Sequence, residues 1–74
     1  QEVEASFVIG NLDDDTVAMS ARSNGNINVQ LILEQMHGGG HFSQAGLQRS
    51  ATTVDEIKKE LLQNIDGYFK SREA

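Results

Sequence analysis

Three consecutive glycines followed by a histidine, Gly38-Gly39-Gly40-His41, are the stretch of this 74-residue chain best suited to chemistry. Glycine has no Cβ, so successive amides can turn inward together and a ligand can approach the backbone closely, which suits an anionic oxygen. His41 adds an imidazole. A short amphipathic segment from Asn28 stops at the first glycine and a turn begins after the histidine. A phosphate could therefore meet amides of the loop and of a following helix N-terminus. Such a site also needs a cation. Lys58, Lys59, Lys70 and Arg72 lie in the C-terminal segment, which leaves Arg22 and Arg49 as the basic residues nearest the glycines. Arg22, at the end of an expected strand with Ser20 and Ser23 beside it, can donate to a phosphate; the alternative is a solvent-facing arginine at a sheet rim.

Most other chemistries lack their residues. The chain has no cysteine, which removes disulfides and thiolate metal sites. There is no Gly-x-Ser-x-Gly elbow, no His-Glu-x-x-His, and no lysine after the glycines to make a nucleotide-binding P-loop. The clustered Asp and His that a two-metal phosphodiesterase needs are also missing. Asp13-Asp14-Asp15 reads as a solvated turn rather than a metal site. What remains is the half of a site that grips a substrate. The glycine run alone fits either a flexible joint or a ligand loop. The immediate His41-Phe42 and the small pair Ala45-Gly46 favour a tightly packed turn. His41 has its own alternative as a core or surface histidine, and His37 reads as polar surface.

A net charge of -5 repels a long polyanion but barely constrains a small phosphate ligand, which needs only one or two local cations. The length and the 38% apolar content allow one small domain, residues 1–74, with a modest core. The chain begins at Gln1, as an excised piece of a larger protein would. Its longest apolar runs, Phe7-Val8-Ile9 and Leu31-Ile32-Leu33, are too short to span a bilayer, and the piece reads as soluble.

The elements that must position these residues follow from periodicity. Val3 to Ile9 reads as a strand whose continuous apolar centre predicts burial on both faces. After the Asp turn, Thr16 to Ser23 returns with Val17, Met19 and Ala21 on one face and Ala18, Ser20 and Arg22 on the other. Asn28 is a plausible N-cap for a two-turn helix with the stripe Val29, Ile32, Leu33, Met36, closed by Gly38 as its left-handed residue. Gly46 to Ser50 is a third strand, with Leu47 and Arg49 on one face. Thr53 and Glu56 form a capping box, and Val54, Ile57, Leu61, Ile65 and Tyr68 carry a helix to about Lys70, with Lys70 and Arg72 at its negative end. The order β-β-α-β-α defines an α+β fold with a small mixed or antiparallel sheet and both helices on one face.

Taken together, Ser20-Ala21-Arg22-Ser23, Asn28-Val29-Gln30, Glu34, Gly38-Gly39-Gly40-His41, Ala45 and Gln48 resemble the C-terminal substrate-binding (DHH-associated) domain of DHH-family phosphoesterases, closest to the GdpP-type cyclic-di-AMP phosphodiesterases. The resemblance runs from Val3 through Tyr68. Two positions depart from the pattern: His37 replaces the usual fourth glycine, and Gly46 stands where many relatives have alanine. The resemblance implies that an upstream DHH domain holds two manganese ions (Mn2+), that the parent cleaves cyclic-di-AMP to pApA, and that this piece binds substrate without hydrolysing it. It implies phosphate contact by Arg22, a phosphate and base pocket at Gly38, Gly39, Gly40 and His41, and support from Ser20, Ser23 and Asn28. It further implies a cytoplasmic domain whose parent is anchored in a bacterial membrane, and it is compatible with a homodimer. Alternatives are a relative acting on short oligonucleotides, a non-catalytic nucleic-acid module, or a protein-interaction domain.

Overall fold

Alternation of apolar and polar residues builds a four-stranded sheet, described by a computed structural model over residues 4–73. The elements are β1 (Ala5–Asn11), β2 (Thr16–Ser23), α1 (Val29–Glu34), β3 (Gly39–His41), β4 (Gln44–Ser50) and α2 (Val54–Glu73). Strand order is β1-β2-β4-β3, and every neighbouring pair is antiparallel. The α+β class and the single helix-covered face match the sequence reading. The strand expected at Gly46 is β4 and starts two residues earlier, and a short edge strand, β3, is added at the glycines.

In β2, Val17, Met19 and Ala21 are buried while Ser20 and Arg22 are exposed on the other face. β4 alternates in phase with it, with Ala45 and Leu47 buried and Gln44 and Gln48 exposed. Ile32 and Leu33 of α1, with Ile57 and Leu61 of α2, close over the inner face. β1 corrects one expectation. Phe7 and Ile9 lean on the core, but Val8 is 69% exposed, because both helices cover the same side and leave the other bare. The expected start of this strand at Val3 lies outside the described residues.

The turns follow side-chain chemistry. Asp13 Oδ1 accepts from the amides of Asp15 (3.1 Å) and Thr16 (3.0 Å), which holds its carboxyl below the usual range and makes the Asp run a hairpin tip. Thr53 Oγ1 accepts from Glu56 N, and Glu56 Oε1 accepts from Thr53 N, both at 3.1 Å, completing the capping box. α2 runs to Glu73; Lys70 pairs with Asp66 at 3.1 Å, and the side chain of Arg72 lies outside the described residues.

The end of α1 differs from expectation. The left-handed residue is His37, with φ 66°, not Gly38. His37 N donates to Glu34 O (3.1 Å) and Gly38 N to Leu33 O (2.7 Å), the bond pair of a Schellman close. Gly38 serves a different need. A Cβ there would lie 2.7 Å from Gly46 O and 2.8 Å from Leu47 Cβ, so only glycine lets the chain leave the helix flush against β4.

Candidate functional site

The uncovered face of the sheet collects the residues that could do chemistry. Antiparallel register sets Arg22 opposite Gln44 and Gln44 opposite His41, and residues directly opposite share a face. Arg22, Gln44 and His41 therefore form one row across three strands, all exposed. Adjacent strands lie about 4.8 Å apart, so the Arg22 and His41 backbones are about 10 Å apart, and both side chains can lean over Gln44 onto one phosphate group. One step along the strands, Ser20 is opposite Gly46 and Gly46 opposite Gly39, on the same face.

Arg22 has no ion pair or hydrogen bond among the described residues, and it borders a shallow depression with Ser6, Ser23 and Asn24. Arg49, the other cation near the glycines, is committed elsewhere. It lies on the inner face and donates to Glu60 Oε1 (2.5 Å), Glu60 Oε2 (3.0 Å) and Met36 O (2.6 Å), tying β4, α2 and the end of α1 together. These hydrogen bonds hold the Glu60 carboxyl below its ordinary range and raise the Arg49 guanidinium. Arg49 is thus removed from the phosphate candidates.

The glycine run is neither a flexible joint nor an inward-turned loop. Gly39, Gly40 and His41 pair with Gly46, Ala45 and Gln44 as edge strand β3, and the chain turns through Phe42 and Ser43 directly into β4, so no helix N-terminus follows. The reason is steric. Gly40 has φ 149°, and a Cβ there would meet Ala45 Cα and Gln44 O at 2.5 Å, so it lies tight against β4. Gly39 has nothing within 4 Å of an added Cβ and leaves bare backbone on the open face. Because β3 is an edge strand, alternate amides point away from β4.

The supporting residues divide. Ser20 shares the open face with Arg22. Ser23 falls on the opposite face by alternation; its Oγ accepts from Gly25 N (3.2 Å), and its amide donates to Ser43 O (2.9 Å). Asn28 caps α1 by accepting from Leu31 N (3.2 Å), and its own amide donates to Tyr68 OH (2.9 Å). Val29 N donates to Phe42 O (3.1 Å), which docks the hairpin tip on the start of α1. Ser23 and Asn28 thus hold the hairpin that presents His41. Gln44 is the residue that sequence reasoning missed. Extending the Ala45/Leu47 alternation back by one residue would have placed it on Arg22's face.

No group of three or more His, Asp or Glu side chains that could hold a metal ion occurs among the described residues. Likewise, no helix among them is long and apolar enough to cross a membrane.

The molecule is thus a small antiparallel sheet covered by helices on one side, with Arg22, Gln44 and His41 in a row on the other. The chain belongs to the DHHA1 domain family, whose profile matches residues 1–71. It is 48% identical over 69 residues to the cyclic-di-AMP phosphodiesterase GdpP of Bacillus subtilis (strain 168), covering 93% of this chain and 10% of that protein. It is also 48% identical over 68 residues to the cyclic-di-AMP phosphodiesterase PdeA of Listeria monocytogenes serotype 1/2a (strain 10403S), covering 92% of this chain and 10% of that one. A membrane protein-large ribosomal subunit bL9 fusion protein of Aster yellows witches'-broom phytoplasma (strain AYWB) is 44% identical over 61 residues, 82% of this chain and 7% of that protein. The chain thus spans about a tenth of the length of the phosphodiesterases that it matches.

Proposed function

We propose that this domain is the substrate-gripping half of a metal-dependent phosphodiesterase that hydrolyses cyclic-di-AMP to pApA. The observation that carries this reading is the exposed row of Arg22, Gln44 and His41, whose cation has no carboxylate partner among the described residues. A guanidinium left free in an acidic chain is a ready phosphate donor. In this reading Arg22 and His41 hold one phosphate, the Gly39-Gly40 edge of β3 adds a donor through its one outward amide, Ser20 extends the face, and Ser23 and Asn28 fix the hairpin. The 48%-identical relatives are cyclic-di-AMP phosphodiesterases, which supplies the ligand class for this reading.

The metal chemistry would come from an upstream DHH domain holding two manganese ions, because this chain's described residues offer no ligand cluster for them. The domain itself would be inactive and cytoplasmic, with the parent anchored in a bacterial membrane. Titration of the chain with cyclic-di-AMP, pApA and phosphate, followed by amide shifts, tests the assignment. Shifts concentrated at Arg22, Gly39, Gly40 and His41 support it. Equal responses to unrelated salts at matched ionic strength would favour a protein-interaction domain instead.

A further inference from the structure

We propose that Gln48 is the residue by which this face distinguishes nucleobases, its carboxamide pairing with the edge of an adenine seated over the Gly39 and Gly46 pair. The inference rests on the phosphate-gripping reading given above and adds to it a base-reading residue. Gln44, Gly46 and Gln48 lie on one face of β4 in successive steps. With a rise of about 3.4 Å per residue, Gln48 stands about 7 Å beyond Gly46 and about 14 Å from Gln44.

The phosphate row is the last before the hairpin tip, since His41 and Gln44 flank Phe42 and Ser43. Along the strands, a nucleotide anchored in that row extends over the sheet toward Gly46. There neither Gly46 nor its partner Gly39 carries a side chain, so a flat ring can rest on the backbone. Gln48 is the first long side chain past that gap. Its cross-strand partner is Ala18, and Ala18 is in turn opposite Gly10, so its neighbours toward β2 and β1 are small. Gln48 is exposed, and no hydrogen bond holds its carboxamide among the described residues.

The carboxamide offers one acceptor and one donor side by side. Adenine presents the complementary N6 donor and N7 acceptor, while guanine presents two acceptors, O6 and N7, on the same edge. Gln48 therefore matches adenine and leaves its carbonyl facing an acceptor when guanine is bound. Arginine, with donors only, has the opposite match.

The test is amide-shift titration of the chain with cyclic-di-AMP, cyclic-di-GMP and inorganic pyrophosphate, the last as a phosphate-only probe. The unsubstituted chain should favour cyclic-di-AMP by about tenfold or more, the discrimination of one bidentate base contact. Gln48→Ala should bring the two dinucleotides to within about twofold while the pyrophosphate response at Arg22 and His41 is unchanged. Gln48→Arg should reverse the preference. If Gln48→Ala keeps the adenine preference while Arg22→Ala abolishes binding, Gln48 is not the reader although the phosphate site stands. If Arg22→Ala binds all three probes as the parent chain does, the phosphate reading fails and the Gln48 proposal fails with it.

Discussion

Alanine at Gly39 and alanine at Gly40 should produce opposite kinds of damage, although the two residues are adjacent and identical. At Gly40, φ is 149° and the new Cβ would fall 2.5 Å from Ala45 Cα and Gln44 O and 2.9 Å from Ala45 Cβ. Backbone strain of about 1–3 kcal/mol adds to overpacking of about 1–3 kcal/mol, for a loss of about 2–6 kcal/mol. A domain of this size is stable by only about 4–11 kcal/mol, and each kcal/mol moves Tm by about 4–8 °C, so Gly40→Ala should melt at least about 8 °C lower. At Gly39 nothing lies within 4 Å of the added Cβ, so stability should stay within about 0.5 kcal/mol. The Gly39 methyl would instead stand on the open face between ligand and backbone. Weakening one hydrogen bond to a charged phosphate costs about 1.5 kcal/mol or more, so the Kd for cyclic-di-AMP should rise about tenfold. Thermal melts and isothermal titration of both variants decide the matter. A Gly39→Ala protein that unfolds as early as Gly40→Ala would refute the placement of β3. An unchanged Kd would refute ligand approach at that backbone.

Arg22→Ala, in a full-length enzyme carrying this domain, should raise KM for cyclic-di-AMP at least tenfold with metal content unchanged, since a hydrogen bond to a charged group contributes about 1.5–3 kcal/mol; a KM equal to the parent's would remove Arg22 from the site. Glu60 is held below its ordinary value of 4.5, first by the hydrogen bonds from Arg49. Its contribution is therefore present in full above that value and is lost as pH falls through the lower folded value. Melts from about pH 6 to about pH 2, roughly two units either side of a carboxylate's ordinary value, should show a steeper acid loss for the parent chain than for Glu60→Gln, and parallel curves would show the pair to be energetically idle. His37→Gly should raise stability by about 1 kcal/mol by relieving a left-handed conformation, read as a Tm increase of about 4–8 °C, and a fall in Tm would mean that the imidazole holds the turn.

The elements and the core were largely legible because each rests on a local rule. Val17, Met19 and Ala21 alternate, the α1 stripe recurs at three and four, and Thr53 with Glu56 closes a capping box within four residues. Arg22, Ser20 and His41 could be singled out from residue type and spacing alone. Tertiary structure decided which of the two arginines is free. Arg49 sits at an inward position of β4 and meets Glu60 across eleven residues of chain, a contact that no short-range pattern records. It also decided the form of the glycine run. Three residues without side chains carry no periodicity, so only the pressure of β4 against Gly38 and Gly40 turns them into an edge strand. Finally, it decided that Arg22, Gln44 and His41 stand in one row, because register between strands is set by the whole sheet and the helices on its far side, not by any segment that contributes a residue.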